Sequence, residues 1–290
     1  MKEILCIIGS CISLQLGAAL AVQLFPVAST WGTAIVRLVT AGMLLCALVR
    51  PRVSRWTRTQ WGAVVLFGAS LGLMNGFFYA AIGRIPLGTA ITIEFLGPLL
   101  LAAVLSRSLA DALCVLLALC GIALLGLDSL TGSALDPVGA VFALIAGGFW
   151  VCYILASQRA GRLVPGQGGL AVALLLGGVV LVPLGAPGAA TITTDPSLLL
   201  LAAGTGLLAS LIPYSLELAA LRGLTPNAFS VLIALEPVFA AFFGWLLLAQ
   251  PVTVLKGAAV CLVVAASILQ TLTTSRRRPK KPASLEPVSC

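Results

Sequence analysis

Five ionisable side chains stand inside long apolar stretches of this chain: Arg37, Glu94, Glu217, Glu236 and Lys256. A charge in hydrocarbon costs at least about 2.5–3.5 kcal/mol on insertion scales, so such groups are kept where they face a cavity or a partner. Glu94 and Glu236 lie deepest, and each stands close to a proline, Pro98 and Pro237. A proline in mid-helix removes one backbone bond and frees a carbonyl, which makes a polar, bendable point beside the carboxylate. A carboxyl in such surroundings can exchange protons near neutral pH. The pair therefore points to coupling of proton movement to solute movement. The structural alternative is that each Glu pairs with Arg37 or caps a helix broken at its proline.

Arg37 sits about two turns inside its stretch. Its planar fork can hold the carboxylate of a substrate or lock Glu94, and both uses match a buried charge. Glu217 lies about one turn from the end of its stretch, near Arg222, and Lys256 lies in the first turns of the last one; both are placed to reach the interface. Asn75 and Tyr79 are four residues apart and share a helix face. Trp150, Tyr153 and Tyr214 complete the groups that could line a cavity. Packing and interface anchoring are the other uses of such side chains.

Other chemistries find little support. The chain has no His, which excludes His-ligated zinc or haem and a His general base. It has no Gly-x-Ser-x-Gly elbow and no Asp-rich cluster, so no metal and no cofactor is expected, and an intramembrane enzyme fits poorly. Of the eight Cys, seven (Cys6, Cys11, Cys46, Cys114, Cys120, Cys152 and Cys261) fall in apolar stretches and read as small packing residues; Cys290 stands alone near the C-terminus.

The elements that must position these groups are membrane helices. Apolar residues make up 60% of the 290 and charged residues 9%, against roughly 45–50% and about 25% in soluble domains. Ten apolar runs follow one another, at about 4–25, 31–49, 62–82, 86–105, 110–127, 136–156, 168–184, 197–221, 225–248 and 251–270, most near the length of about 20 residues that crosses a bilayer. No room remains for a soluble domain. An N-terminal secretory signal is disfavoured because Lys2-Glu3 is no basic region and the first run continues to Phe25.

The formal charge of +8 is scattered over short loops, unlike a nucleic-acid face. With the N-terminus inside, the cytoplasmic segments gather Lys2, Arg50, Arg52, Arg55, Arg58, Arg107, Arg159, Arg162, Arg222, Arg276, Arg277, Arg278, Lys280 and Lys281, against Arg84 alone outside. That bias places both termini in the cytoplasm. Asp128, Asp136 and Asp195 fall in outer loops on this reading, and residues 185–196 form one of the longer loops. Residues 273–290 form a Pro-rich, basic tail with the composition of a disordered segment facing anionic lipid.

The runs are also duplicated. Tyr79 to Pro98 reads YAAIGRIPLGTAITIEFLGP and Tyr214 to Pro237 reads YSLELAALRGLTPNAFSVLIALEP. Aligned on their last prolines, at an offset of 139 residues, Ala80-Ala81-Ile82 falls on Ala219-Ala220-Leu221, and the break at Pro86 falls beside Pro226. Five runs per half make the second half enter the membrane in the opposite sense. The expected fold is an all-α membrane protein of ten transmembrane helices in two inverted five-helix repeats, residues 1–127 and 136–272, the build of a secondary transporter with its site between the halves. Gly68, Gly72 and Gly76 read as helix-packing residues. A channel remains a less favoured reading.

The stretches 74–98, 147–161 and 212–237, with PLG-x5-EF-x-GP, YIL-x2-QRAG and PYSLE as their most specific parts, resemble the EamA-type transporters of the drug/metabolite superfamily. The similarity covers nearly the full chain, Arg37 included. It implies export of small metabolites from the cytoplasm across the inner (plasma) membrane by exchange with protons, with threonine- and homoserine-like amino acids as the first substrates to test. Another metabolite or a drug, nucleoside or sugar-like, is the alternative, and a homodimer is compatible with such a chain. Many relatives carry Gly-Glu before the last span where this chain has Ala249-Gln250, and Lys256 stands where a neutral polar residue is common. The resemblance therefore transfers no role to an outer carboxylate at that place.

Overall fold

A computed structural model describes residues 2–106, 109–131, 135–221 and 232–277, and the regular structure among them is all helical. In hydrocarbon every backbone N–H and C=O must be met within the protein, which an apolar run achieves by coiling on itself. The helices in order are α1 (Lys2–Val22), the short α2 (Phe25–Ala28), α3 (Thr30–Val49), α4 (Arg58–Ile82), α5 (Leu87–Glu94), α6 (Leu96–Ser106), α7 (Leu109–Thr131), α8 (Pro137–Leu163), α9 (Gly168–Thr194), α10 (Pro196–Gly206), α11 (Ile212–Leu221), α12 (Glu236–Leu248) and α13 (Val254–Arg277). Among the described residues six helices are long and apolar enough to cross a membrane, and four further apolar helices run 10–17 residues. The protein is thus an all-helical membrane protein.

Helix starts are set by local chemistry. Asp136 and Asp195 accept bonds from the first free N–H groups of α8 and α10, and each precedes a proline at the first helical position, where no N–H is needed. Thr57 and Gln60 close a reciprocal capping box on α4. Arg84, in the tight turn between α4 and α5, reaches Asp136 at 3.0 Å.

Small residues decide which helices meet. The helix α3 packs along α9, α4 along both α8 and α9, α7 along α13, α1 along α10 and α11, and α5 along α12. A methyl on Gly72 would lie 2.6 Å from the Gly177 Cα, and one on Gly32 2.6 Å from the Gly188 carbonyl carbon. Backbones this close exchange dispersion directly, the main attraction available between helices in lipid. Leu48, Val104, Val179 and Leu200 point outward, as lipid-facing residues do.

Several expectations change. Residues 185–194 continue α9 instead of forming a loop, although Pro183 and Pro187 lie inside it; the backbone groups that proline frees are tolerated where neighbouring helices cover them. Asp128 belongs to the end of α7, not to a loop. Lys256 does not reach out to the interface: it meets Asp128 at 3.5 Å, both side chains are largely buried, and the Thr253 hydroxyl donates to the same carboxylate at 2.6 Å. A helix also runs through 273–277. Arg107, the 222–226 connection with Arg222, and tail residues 278–290 lie outside the described residues.

Two outcomes test this packing. Gly72→Ala is expected to lower the melting temperature of the detergent-purified protein by several degrees, whereas Gly62→Ala, whose new methyl meets nothing within 4 Å, leaves it equal or higher by removing a helix glycine worth about 1 kcal/mol. Equal effects at the two sites would refute the close approach. The bond from Arg84, helped by the N–H groups of Val138 and Gly139, holds the Asp136 carboxyl below its usual range despite some opposing desolvation. A lowered folded value gives stability that is full above the unfolded value of about 3.9 and is lost as pH falls through the folded one. Asp136→Asn keeps a good cap but loses this term, so its melting temperature should fall below wild type at neutral pH and converge with it in acid.

Candidate functional site

The site starts from a proline. Pro213 has no N–H for the carbonyl one turn back, that of Ala209. Between α10 and α11 the ladder widens into a π turn over Leu207–Leu211, where the Ile212 N–H returns to the Leu207 carbonyl. In that register the next donor in line, for Leu208, is again Pro213. The Leu208 and Ala209 carbonyls beside this gap both accept from side chains on other helices. The Ser13 hydroxyl of α1 donates to Leu208 at 2.6 Å, and the Arg37 guanidinium of α3 donates to Ala209 at 2.9 Å and to the Ser210 hydroxyl at 3.4 Å. One turn before Ser13, Ser10 donates to the Glu217 carboxylate at 2.7 Å. Gly17 lets α1 approach closely enough for this, since a methyl there would stand 2.7 Å from Ala209.

These bonds hold the wall of a cavity of about 270 Å³. It is lined by Leu14, Gln15 and Ala18 from α1, Arg37 from α3, Met74, Asn75 and Phe78 from α4, Ile91 and Glu94 from α5, Trp150 and Tyr153 from α8, Pro213 and Glu217 from α11, and Ile233 and Glu236 at the turn into α12. Arg37 is 4% exposed, and its guanidinium lies 5.1 Å from the centre of the Tyr79 ring. Among the described residues it makes no ion pair with Glu94. Its partners are a carbonyl, a hydroxyl and a ring face, all uncharged, and its Nε has no bond.

The carboxylates gather on the other walls. Glu94 is the last residue of α5, just before the break at Phe95, and Glu236 is the first of α12, just after a turn at 234–235. Glu94 therefore faces the negative end of its helix dipole and Glu236 the positive end of its own. The break at Phe95 is itself gripped: Trp150 stacks edge-on against Phe95 at 4.9 Å, and Gly147 lies so close that a methyl would stand 2.6 Å from the Glu94 carbonyl.

Of the residues singled out from sequence, Arg37, Glu94, Glu236, Asn75, Trp150, Tyr153 and Glu217 come together on this cavity. Glu217 is held by Ser10 and turned inward, instead of reaching the interface. Asn75 donates to the Leu71 carbonyl at 2.9 Å. Tyr79 is fully buried behind the wall, under Arg37, and is not among the lining residues. Tyr214 is on α11, and its side chain lies outside the described ones. Gln15, Ser10, Ser13 and Pro213 were missed; the signal was a proline in a helix and two hydroxyls three residues apart on another. Away from the cavity, Gln250 accepts from the Leu87 N–H at 3.0 Å and so caps α5 from the loop between α12 and α13. Among the described residues no group of three His, Cys, Asp or Glu is placed to hold a metal.

Residues 137–272 match the EamA-like transporter family. The chain is 38% identical over 268 residues to the threonine/homoserine exporter RhtA of Salmonella typhimurium, covering 92% of this chain and 90% of that one. It is 36% identical over 264 residues to RhtA of Escherichia coli K12, covering 91% and 89%. A solved crystal structure overlays with a TM-score of 0.60 over 96% of this chain and 99% of the other at 20% identity, a likeness of fold alone.

If Pro213 creates the need that Ser13 meets, the two positions are coupled. Ser13→Ala should lower stability by about 1–3 kcal/mol, the cost of a buried acceptor without a donor, and by clearly less in a Pro213→Ala background, where the backbone N–H is restored. A double-mutant cycle in detergent unfolding measures this, and additive losses would refute the coupling.

Proposed function

We infer a substrate and a cycle for this chain, which belongs to the EamA-like transporter family of membrane transporters: it exports small amino acids, threonine- and homoserine-like, from the cytoplasm in exchange for protons. The supporting observation is the distribution of charge around the cavity. Among the described residues Arg37 presents a buried positive charge met by neutral groups, and Glu94, Glu217 and Glu236 stand on the same wall system. An α-amino acid carries the complement of both, a carboxylate for the guanidinium fork and an ammonium for a carboxylate. A volume of about 270 Å³ lies below the roughly 300–1,000 Å³ of sites for drug-sized ligands, which favours a small metabolite over a nucleoside or drug. The relatives named as threonine/homoserine exporters favour the same class.

The cycle rests on ten transmembrane helices in two inverted repeats, 1–127 and 136–272. Helix pairing supports this reading. The second helix of each half, α3 and α9, lies along its counterpart, as do the fourth helices, α5 with α12, and the fifth, α7 with α13. The first helix of each half meets the third of the other: α1 with α10 and α11, α8 with α4. That is the pattern a two-fold axis in the membrane plane generates, with the cavity beside it. The bias of positive residues supports cytoplasmic termini, and the bacterial relatives favour an inner membrane. Rocking of one half on the other then exposes the cavity to each side in turn, and Glu94 or Glu236 carries the counter-moving proton.

Cells expressing the chain in toxic threonine or homoserine should hold less of the amino acid than cells with an empty vector; equal intracellular levels overturn the substrate. In proteoliposomes with an imposed pH gradient, Arg37→Lys should weaken uptake about 10-fold or more by losing the forked, charge-assisted bonds. Glu94→Gln or Glu236→Gln should abolish the dependence on the gradient. Proton-driven transport that survives both Glu substitutions rejects the coupling.

A further inference from the structure

Among the described residues on the cavity, Gln15 is a polar side chain to which neither the fold nor the charge pairing gives a task. Gln15, on α1, has 0% of its surface exposed, and neither its Nε2 nor its Oε1 has a hydrogen-bond partner. The rest of α1 around it does not need an amide, since Ser10 and Ser13 already make the bonds to Glu217 and Leu208 that join α1 to the helix opposite. Asn75, the other amide on the wall, has its Nδ2 committed to Leu71. An amide offers two donors and a carbonyl acceptor, and burying it without partners is unfavourable, so it persists where something else completes it. Its neighbours on α1, Leu14 and Ala18, are apolar and face the same space.

We propose that Gln15 is a specificity-determining residue that reads the side-chain hydroxyl of the substrate amino acid. This rests on the amino-acid reading above and sharpens it. With the α-carboxylate on Arg37 and the ammonium on a carboxylate, the substrate side chain is the part left to meet the remaining wall. A hydroxyl donates and accepts once each, and the Gln15 amide answers either way, through Oε1 or through Nε2. A substrate with a methyl in place of the hydroxyl gives the amide no partner. Sites that hydrogen-bond a substrate hydroxyl reject the analogue lacking it far more strongly than apolar pockets separate ligands by one methylene. Threonine and valine, nearly equal in shape, are therefore the discriminating pair.

The experiment is counterflow of labelled threonine and labelled valine by the full chain in proteoliposomes, for wild type and for Gln15→Leu, with Gln15→Met as a second variant of similar length should the first insert poorly. Wild type should prefer threonine, and the threonine-to-valine ratio should fall at least about tenfold in the variants, with valine transport kept or raised. A ratio unchanged from wild type, or an equal loss of both substrates, overturns the role of Gln15 while leaving the amino-acid reading intact. Equal competition by unlabelled valine and threonine against labelled threonine in wild type overturns it without any variant. Wild type that carries neither threonine nor homoserine removes the amino-acid reading itself, and the role of Gln15 with it.

Discussion

A single missing N–H shapes the centre of this molecule. Pro213 can supply no N–H to the turn before it, in a place where water is scarce, and the Leu208 and Ala209 carbonyls there are met from two other helices, α1 with Ser13 and α3 with Arg37. Neither answer is local, and each fixes a distance between helices that apolar packing alone would leave loose. Arg37 is thereby held with part of its guanidinium satisfied and part turned to the cavity, above the face of Tyr79. A cation that has lost most of its hydration and gained only neutral partners attracts an anion strongly, because the surrounding dielectric is low. The defect in one helix is thus the cause of both the rigidity of the wall and its charge.

The remaining walls follow the same logic of interrupted helices gripped from outside. The break after Glu94 exposes backbone that Gly147 and Trp150 cover closely, and the turn before Glu236 lets a carboxylate begin a new helix inside the protein. Irregular backbone at membrane depth is tolerated only where protein or a cavity surrounds it. Here three interruptions converge on one space, so the costs of breaking helices and of burying charge are concentrated in a single region. The long regular helices α3, α4, α8 and α9 carry the frame by small-residue contact.

Much of this was legible in the chain, and what was hidden has a physical reason. Intramembrane charge is a loud signal, so Arg37, Glu94 and Glu236 stand out in the sequence, and all three line the cavity. Gln15 does not stand out, because a neutral amide in an apolar run is cheap enough to pass for packing. Ser10 and Ser13 were invisible because their partners lie about two hundred positions away and exist only through a backbone defect. Residues 185–196 read as a loop because the apolar run closes at 184, yet α9 runs on to Thr194 through Pro183 and Pro187. Lys256 was misplaced for a linked reason: its partner Asp128 was assigned to a loop, and a lysine without an anion is expected to reach for solvent. Residues 222–231, which carry much of the second copy of the repeat aligned from sequence, lie outside the described ones.

The two interrupted segments show how such a molecule can vary. In the gapless alignment the place of Glu94 is taken in the second half by Ile233, and both line the cavity, whereas the place of Glu236 is taken in the first by Gly97, which is pressed against Gly147. The aligned positions share a place on the cavity in the first pair and a charge in neither. Because the frame is fixed by prolines, glycines and hydroxyls elsewhere, an exchange of one residue at Ile233 or Glu94 alters what the cavity attracts without asking any helix to move. Chemical preference and mechanical architecture are then separable inheritances, which gives one helical plan room to serve many solutes.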